Sequence, residues 1–146
     1  MKIFVDADSC PKQARELILR RAATLKIIFV ANRPIPVIPG AVMEICPAGD
    51  NSADDRIVEL AETGDLVITR DVPLAKRLVE KGITAMDDRG RLFTKDNINE
   101  FLSLRNFMVG LADNGLGIER ISNYGRKELK AFADSLDRFL ARQNAK

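Results

Sequence analysis

Short apolar runs alternate along this chain with longer segments in which apolar residues recur every three or four positions. The apolar runs predict five β-strands, at residues 2–5, 26–31, 42–46, 65–69 and 83–86. Several are apolar at nearly every position, as expected of strands buried on both faces of a parallel sheet. The helical spacing predicts helices that begin at Pro11, near Ser52 and at Pro73, and that end before a glycine where Gly64 and Gly82 follow.

The order of these elements, β-α-β-β-α-β-α-β, predicts an α/β fold with three α/β/α layers and a central, mainly parallel sheet. The last third of the chain predicts two C-terminal helices, at about 94–113 and 124–143, packed on a core of about 1–90. A length of 146 residues fits one domain, and no repeat or low-complexity tract divides it. We therefore predict a single domain over residues 1–146.

The amino-acid composition excludes several kinds of functional site. The chain has no histidine, which excludes histidine-based triads, histidine-ligated zinc and histidine general bases. A net charge of +2 is too small to indicate nucleic-acid binding by itself. No apolar run approaches 18 residues, and the first residues lack the long apolar region of a signal peptide. We therefore expect a cytoplasmic protein with no membrane segment, in which Cys10 and Cys46 are free thiols.

Acidic residues follow four of the five predicted strands. They are Asp6 and Asp8, then Asp50, Asp54 and Asp55, then Asp71, and finally Asp87 and Asp88. Ligands of open α/β sheets bind at the carboxyl ends of the strands, which parallel strands bring to one edge. Neighbouring carboxylates repel one another, and a hard divalent cation relieves that repulsion. The sequence therefore predicts a Mg²⁺ or Mn²⁺ site at this edge.

Ordinary structural roles account for some of these acids. A single aspartate after a strand is commonly a turn residue or a helix cap, and for Asp87 and Asp88 we favour a turn. Acids in the first helical turn favour the positive end of the helix dipole, which is sufficient to place either Asp54 or Asp55. The functional interpretation is strongest for Asp6 and Asp71, which come from different βα units.

Three further residues follow strands beside the predicted acidic edge. They are Asn32, Arg33 and Arg70, and we predict that they bind substrate. For the two arginines, contact with a phosphate and pairing with the aspartates both remain open. Cys10 precedes a helix, a position that can activate a thiol, but a Cys-x₅-Arg loop is missing because Glu16 occupies the arginine position. We therefore interpret Cys10 as small apolar filler.

Four segments carry a resemblance to a known family. They are KIFVDADSCP, VANRP, PAGDNSADDRIVELAETGDLVITRDVPLA and RNFM, and they resemble the uncharacterised YaiI/YqxD family of bacterial proteins from residue 1 to about 140. That family is regarded as PIN-like, related in fold to metal-dependent nucleases. The resemblance implies a Mg²⁺- or Mn²⁺-dependent ribonuclease-type centre, and it leaves a homodimer open. The family itself has no firmly assigned activity.

The resemblance also assigns roles to residues of this chain. The PIN pattern has an acid after the first strand, matched by Asp6, and an acid after an apolar-Thr-x sequence, matched by Asp71. Its acid at the start of the central helix is matched by both Asp54 and Asp55. We predict catalytic roles for Asp6, Asp54 and Asp71, and metal ligation by these three together with Asp8 and Asp55. Asp87 or Asp88 could supply a fourth acid, and Asp50 is additional to the pattern.

Three functions follow as hypotheses. The first is a metal-dependent phosphodiesterase that acts on RNA. The second is a phosphatase of the haloacid-dehalogenase type, in which Asp6-Ala-Asp8 forms the DxD signature and Thr69, Lys81 and Asp87–Asp88 supply the later groups. The third is a non-catalytic nucleic-acid-binding module that keeps a PIN-like fold.

Overall fold

The computed structural model describes residues 1–33, 39–47, 52–113 and 124–144. Its strands are β1 (Lys2–Asp6), β2 (Lys26–Ala31), β3 (Val42–Ile45), β4 (Leu66–Ile68), β5 (Thr84–Met86) and β6 (Leu92–Phe93). Its helices are α1 (Lys12–Arg21), α2 (Ser52–Leu60), α3 (Val72–Glu80), α4 (Ile98–Asp113) and α5 (Arg126–Asn144).

The six strands form one sheet in the order β3-β2-β1-β4-β5-β6. All neighbours are parallel except β5 and β6, which are antiparallel. Strands β2 and β3 lie on one side of β1, and β4 lies on its other side. The strand order therefore reverses between β1 and β4, and such a switch point is where open α/β sheets bind ligands.

Helices cover both faces of the sheet. On one face α1 and α5 pack over Ile3, Val5, Phe29 and Ile68. On the other face α2, α3 and α4 pack over a second set of strand residues that includes Phe4 and Val67. The strand interiors are buried on both sides, which explains their nearly continuous apolar sequences. The predicted three-layer α/β/α fold with a mainly parallel sheet is confirmed.

Element boundaries differ from the predicted ones at several points. β6 was not predicted, because two residues are too short to show an alternating pattern. Helix α4 begins at Ile98 rather than near residue 95, after Thr94 and Asn97 exchange side-chain-to-backbone hydrogen bonds of 2.8 and 3.2 Å. Helix α1 ends at Arg21, although apolar residues at helical spacing continue to Leu25 and predict a longer helix.

The two C-terminal helices pack differently. In α5 the apolar residues that recur every three or four positions predict the inward face, and the structure confirms it. Phe132 and Leu136 are fully buried, and Leu129, Phe139 and Leu140 pack against the core. For α4 the apolar spacing predicts that Met108 and Leu111 face inward together with Ile98, but of the residues of α4 only Ile98 is buried. No helix within the described residues is long and apolar enough to cross a membrane.

Candidate carboxylate site

Asp6 ends β1 at the switch point and is one of the few buried acids, with 5% of its surface exposed. Its carboxylate accepts a hydrogen bond of 2.9 Å from the Thr69 hydroxyl, which comes from the end of the neighbouring strand β4. Burial raises the pKa of Asp6, and the nearby charges of Asp8 and Asp71 add to that shift, whereas hydrogen bonds from Thr69 and Ser9 oppose it. The fold therefore holds a carboxylate in a place that disfavours its charge.

Asp71 follows β4 by three residues and caps α3. Its carboxylate accepts the Leu74 N–H at 3.0 Å, and Pro73 stands in the first turn of the helix. The Asp71 N–H donates to the Thr69 hydroxyl oxygen at 3.0 Å, while that hydroxyl donates to Asp6. Thr69 thus fixes both acids relative to each other. The position of Thr69, at a strand end and directly before Arg70-Asp71, is the sequence signal for this role, which differs from the one that the phosphatase hypothesis gives it.

Asp54 completes the group from the first turn of α2. Its pKa is raised to about 7 by burial first, then by the charges of Asp71 and Asp6, and by a hydrogen bond shared with the Asp71 carboxyl group. Arg77 opposes this shift only as the smallest contribution. The charges of Asp6 at the end of β1 and of Asp71 in the loop after β4 therefore both act on Asp54 at the start of α2.

Asp55, the alternative to Asp54, lies apart from this group. Its side chain is 64% exposed and forms an ion pair of 2.9 Å with Arg77 on α3. The two neighbours point in different directions because successive helical residues are about 100° apart. The structure therefore brings Asp54, and not Asp55, together with Asp6 and Asp71.

Asp8 and Asn32 organise the β1–β2 side of the site. Asp8 accepts the Asn32 N–H at 3.0 Å, and Arg33 approaches its other oxygen at 3.8 Å. The Asn32 side-chain oxygen accepts the Ala53 N–H at 2.9 Å and the Ser52 hydroxyl at 2.7 Å, so that it caps α2 from another element. The local sequence predicts that Ser52 or Asn51 caps this helix, whereas in the structure Asn32 does so from a distant part of the chain and thereby positions Asp54. Asn51 and Asp50 lie outside the described residues.

The acids after β5 are neutralised instead. Asp87 accepts hydrogen bonds from the backbone N–H groups of Arg89 and Arg91 and from the Arg91 side chain, at 2.6–3.0 Å. Asp88, which is 2% exposed, forms an ion pair with Arg70. The turn predicted for this pair is confirmed, and Arg70 pairs with an aspartate rather than remaining free for a phosphate.

Tyr124, in the C-terminal part of the chain, contacts both Asp88 and Arg70. Its hydroxyl donates to the Asp88 carbonyl oxygen at 2.5 Å, and its ring lies 6.0 Å from the Arg70 guanidinium carbon. Nothing in the local sequence of Tyr124 indicates this role, because the contact joins residues 36 positions apart.

The groups required by the phosphatase hypothesis are dispersed. Thr69 does contact Asp6, but the Lys81 ammonium donates to the carbonyl oxygens of Val58 and Ala61, at 2.5 and 3.1 Å. Those carbonyls terminate α2 at the end opposite Asp54, so Lys81 serves as a helix cap. Burial raises the pKa of the Cys10 thiol to about 12, in agreement with its interpretation as filler.

The donor set suits a hard cation. Asp6, Asp54 and Asp71 offer only oxygen atoms, and their mutual repulsion would be relieved by a divalent ion. Among the described residues, however, no three acidic or thiol side chains already surround a common point as metal ligands would. The arrangement thus fits an ion such as Mg²⁺, which is commonly held by one or two carboxylates and completes its shell with water and phosphate oxygens.

A cleft lies away from these acids. It encloses about 640 Å³ at the opposite end of β5, between that strand, β6 and the end of α5. Its lining includes Phe93, Lys95, Phe139 and Arg142. None of the predicted site residues lines this cleft, so it does not bear on the carboxylate site.

Fold and site together define a three-layer α/β/α protein with a cluster of carboxyl groups at the switch point of its sheet. The chain belongs to the uncharacterised YaiI/YqxD family of bacterial proteins, whose model matches residues 4–142. The resemblance found in the sequence is thereby confirmed.

Relatives of this family cover nearly the whole chain. The chain is 49% identical to a UPF0178 protein of Treponema denticola, over 97% of this chain and 93% of the relative. It is 47% identical to a UPF0178 protein of Treponema pallidum, over 97% of this chain and 82% of the relative. A UPF0178 protein of a Janthinobacterium species is 41% identical over 100% of this chain and 99% of the relative. No solved structure matches the chain.

Proposed function

We propose that this protein is a Mg²⁺- or Mn²⁺-dependent phosphodiesterase that hydrolyses RNA. The proposal is supported chiefly by one observation: Asp6, Asp54 and Asp71 come from three separate elements near the switch point of the sheet, and the charges of Asp6 and Asp71 raise the pKa of Asp54. Within the described residues, the ion pairs of aspartates at this edge are formed by Asp8, Asp55, Asp87 and Asp88 and not by these three. An arrangement that only stabilised the fold would gain nothing from this repulsion, whereas a cation site requires it.

The residues at the switch point would have separate roles in this reaction. Asp54 and Asp71, whose charges interact, would hold the ion, and Asp6 would complete the site from β1. A bound ion of this type activates water and steadies the charge that develops on phosphorus oxygens. Thr69 would keep Asp6 and Asp71 at a fixed separation through its two hydrogen bonds. Asn32 would hold the start of α2, and with it Asp54.

Calorimetric titration of Mn²⁺ and Mg²⁺ tests the site. We expect the wild type to bind, and the variants Asp6→Asn, Asp54→Asn and Asp71→Asn each to lose at least about tenfold in affinity. Asp55→Asn is the matched control, since it removes the same charge one residue away and should bind like the wild type. The proposal fails if Asp55→Asn weakens binding as much as Asp54→Asn does.

Hydrolysis of single-stranded RNA is then measured with the same four variants. We expect cleavage in the wild type and in Asp55→Asn, and its loss in the other three. Metal binding without cleavage of any RNA would instead favour the non-catalytic binding module. Because no three acids already surround a common point, we also expect weak metal binding that tightens when a phosphate analogue is added.

A further inference from the structure

The cleft beside β6 has two parts that adjoin. The larger part encloses about 640 Å³, which is within the range of pockets that bind small organic molecules. The smaller part encloses about 110 Å³ and shares the lining residues Leu92, Phe139 and Arg142 with the larger one. The two parts therefore form one continuous depression along β6 and the C-terminal half of α5.

The wall of the larger part is mainly apolar. It includes the buried side chains of Val79, Ile83 and Phe93, and the more exposed ones of Leu92 and Phe139. Leu92 is 37% exposed, so that apolar surface is open to a ligand. Covering this surface would remove it from water, which favours a ligand that has an apolar part.

The charged residues of the cleft are all cationic. Lys95 and Arg142 line the larger part, Arg138 and Arg142 line the smaller part, and no described aspartate or glutamate lines either. The acids of α5 that form ion pairs in the described part of the chain, Asp134 and Asp137, bind cations outside the cleft. The cleft therefore has a positive charge that an anionic ligand would balance.

The helix dipole explains one of these cations but not another. Arg142 lies in the last turn of α5, where a positive side chain is favoured by the negative end of the helix. Lys95 instead lies just before α4, whose positive end favours acidic side chains. The neighbouring helix therefore gives no reason for a cation at Lys95, whereas an anion in the cleft would give one.

An extended peptide fits this cleft poorly, although β6 is an edge strand of the sheet. A peptide that adds to a sheet edge pairs with the backbone groups of the edge strand. The Leu92 carbonyl oxygen already accepts a hydrogen bond of 2.9 Å from the Asn97 side chain, and β6 has only two residues. The cleft therefore favours a small ligand over a peptide strand.

We infer that this cleft binds a small phosphate monoester with an apolar organic group. The phosphate, with a charge of about −1.5 to −2 at neutral pH, would lie between Lys95 and Arg142, and the organic group would cover Leu92 and Phe139. An ammonium and a guanidinium from two elements match the charge of such an anion better than the single charge of a carboxylate. No residue of the carboxylate site takes part, so the inference does not depend on the proposed function.

A nuclear magnetic resonance titration with 2-naphthyl phosphate at pH 8 in EDTA tests the inference residue by residue. We expect the backbone N–H signals of Gly82, Thr84 and Thr94, which line the cleft, to shift saturably with a Kd of about 1 mM. 2-Naphthol, which lacks the charge, and inorganic phosphate, which lacks the apolar group, should each bind at least about fivefold more weakly. 2-Naphthoate, which has a single charge, should also bind more weakly than the phosphate.

Charge variants test where the phosphate lies. Lys95→Gln and Arg142→Gln should each raise the Kd about two- to fivefold, and the double variant about tenfold. Arg126→Gln is the matched control, because Arg126 is an exposed arginine in the first turn of the same helix and lines neither part of the cleft. The side chains of Lys95 and Arg142 are also exposed, so all of these variants should keep the fold.

Several results would overturn the inference. It is wrong if the shifted signals belong instead to the exposed apolar residues of α4, Leu104 and Phe107, or if no saturable binding is seen up to about 10 mM. It is also wrong if 2-naphthol or 2-naphthoate binds as tightly as 2-naphthyl phosphate, or if Arg126→Gln weakens binding as much as Arg142→Gln does. None of these results bears on metal binding at the carboxylate site, which shares no residue with the cleft.

Discussion

Two groups of aspartates occupy the same edge of this sheet and differ in how their charge is balanced. After β5, Asp87 and Asp88 are almost inaccessible, and arginine side chains from Arg91 and Arg70 neutralise them. At the switch point between β1 and β4, the charges of Asp71 and Asp6 raise the pKa of Asp54, and Asp6 accepts a hydrogen bond from Thr69. Both groups lie near the carboxyl ends of strands, but within the described residues Asp87 and Asp88 form ion pairs with arginines, whereas Asp6, Asp54 and Asp71 do not.

The difference separates a structural use of acids from a candidate functional one. In a buried ion pair whose hydrogen bonds are satisfied, the two charges balance each other, and here such pairs stabilise the turn after β5. Carboxyl groups that repel one another reduce the stability of the folded chain, and proteins retain such arrangements mainly at functional sites. Substitutions in the two groups should therefore have opposite effects on stability.

The largest effect is expected in the neutralised group. Arg70→Ala leaves Asp88 buried without its partner and should lower the free energy of unfolding by about 3 kcal/mol in urea denaturation. The loss should be greater at pH 8 than at pH 5, because protonation of Asp88 removes the uncompensated charge. Arg33→Ala, which removes a 77% exposed arginine beside Asp8, is the control and should cost less than about 0.5 kcal/mol. Equal losses in both variants would show that the Arg70–Asp88 pair is not the cause.

A smaller effect is expected where the second group is held in place. Thr69→Val preserves the shape of a buried side chain but removes the hydroxyl that bridges Asp6 and the Asp71 N–H. It should destabilise the protein by about 1–2 kcal/mol in urea, since both partners lose a hydrogen bond. In the wild type the hydrogen bond from Thr69 lowers the pKa of Asp6. Because the variant lacks this bond, the pKa of Asp6 should be higher than in the wild type. The pKa of Asp6 is measured in both proteins from the pH dependence of its carboxyl chemical shift. Equal values in Thr69→Val and the wild type would contradict this assignment.

Removing charge from the second group should stabilise the protein. Asp54→Asn relieves the repulsion from Asp71 and Asp6. It should add about 1 kcal/mol to the free energy of unfolding near pH 8 in EDTA. The gain is small because Asp54 is partly exposed and solvent screens its charge. Asp55→Asn loses an exposed ion pair with Arg77 and should be neutral or slightly destabilising. A variant that is more stable but no longer binds metal would be typical of a functional site.

The pH dependence gives the smallest and most specific signal. Between its ordinary pKa near 4 and its folded pKa of about 7, Asp54 holds more protons in the folded than in the unfolded chain. Its contribution to stability is therefore largest below about pH 4, declines as the pH rises to about 7, and is constant above. The difference in melting temperature between Asp54→Asn and the wild type should grow over that interval. A difference independent of pH would show that the carboxyl group of Asp54 is not perturbed.

Local signals were sufficient for most of the fold. Five of the six strands follow from apolar runs, and Pro11 and Pro73 indicate where α1 and α3 begin. The two-residue strand β6 and the helix ends were beyond these signals, because a short strand has no period and a helix end depends on contacts from elsewhere. Lys81, for example, caps α2 from the end of α3.

The sequence by itself determined that acids would gather at the carboxyl edge of a parallel sheet, since the position after each strand fixes the edge and the family resemblance supports the pattern. Only the tertiary structure decided which acids meet. It selected Asp54 over Asp55, gave Asp87 and Asp88 their arginines, and recruited Asn32 and Thr69 to hold the site. The physical reason is that a carboxylate's role depends on its nearest charges and donors, and those come from residues up to 63 positions away in the chain.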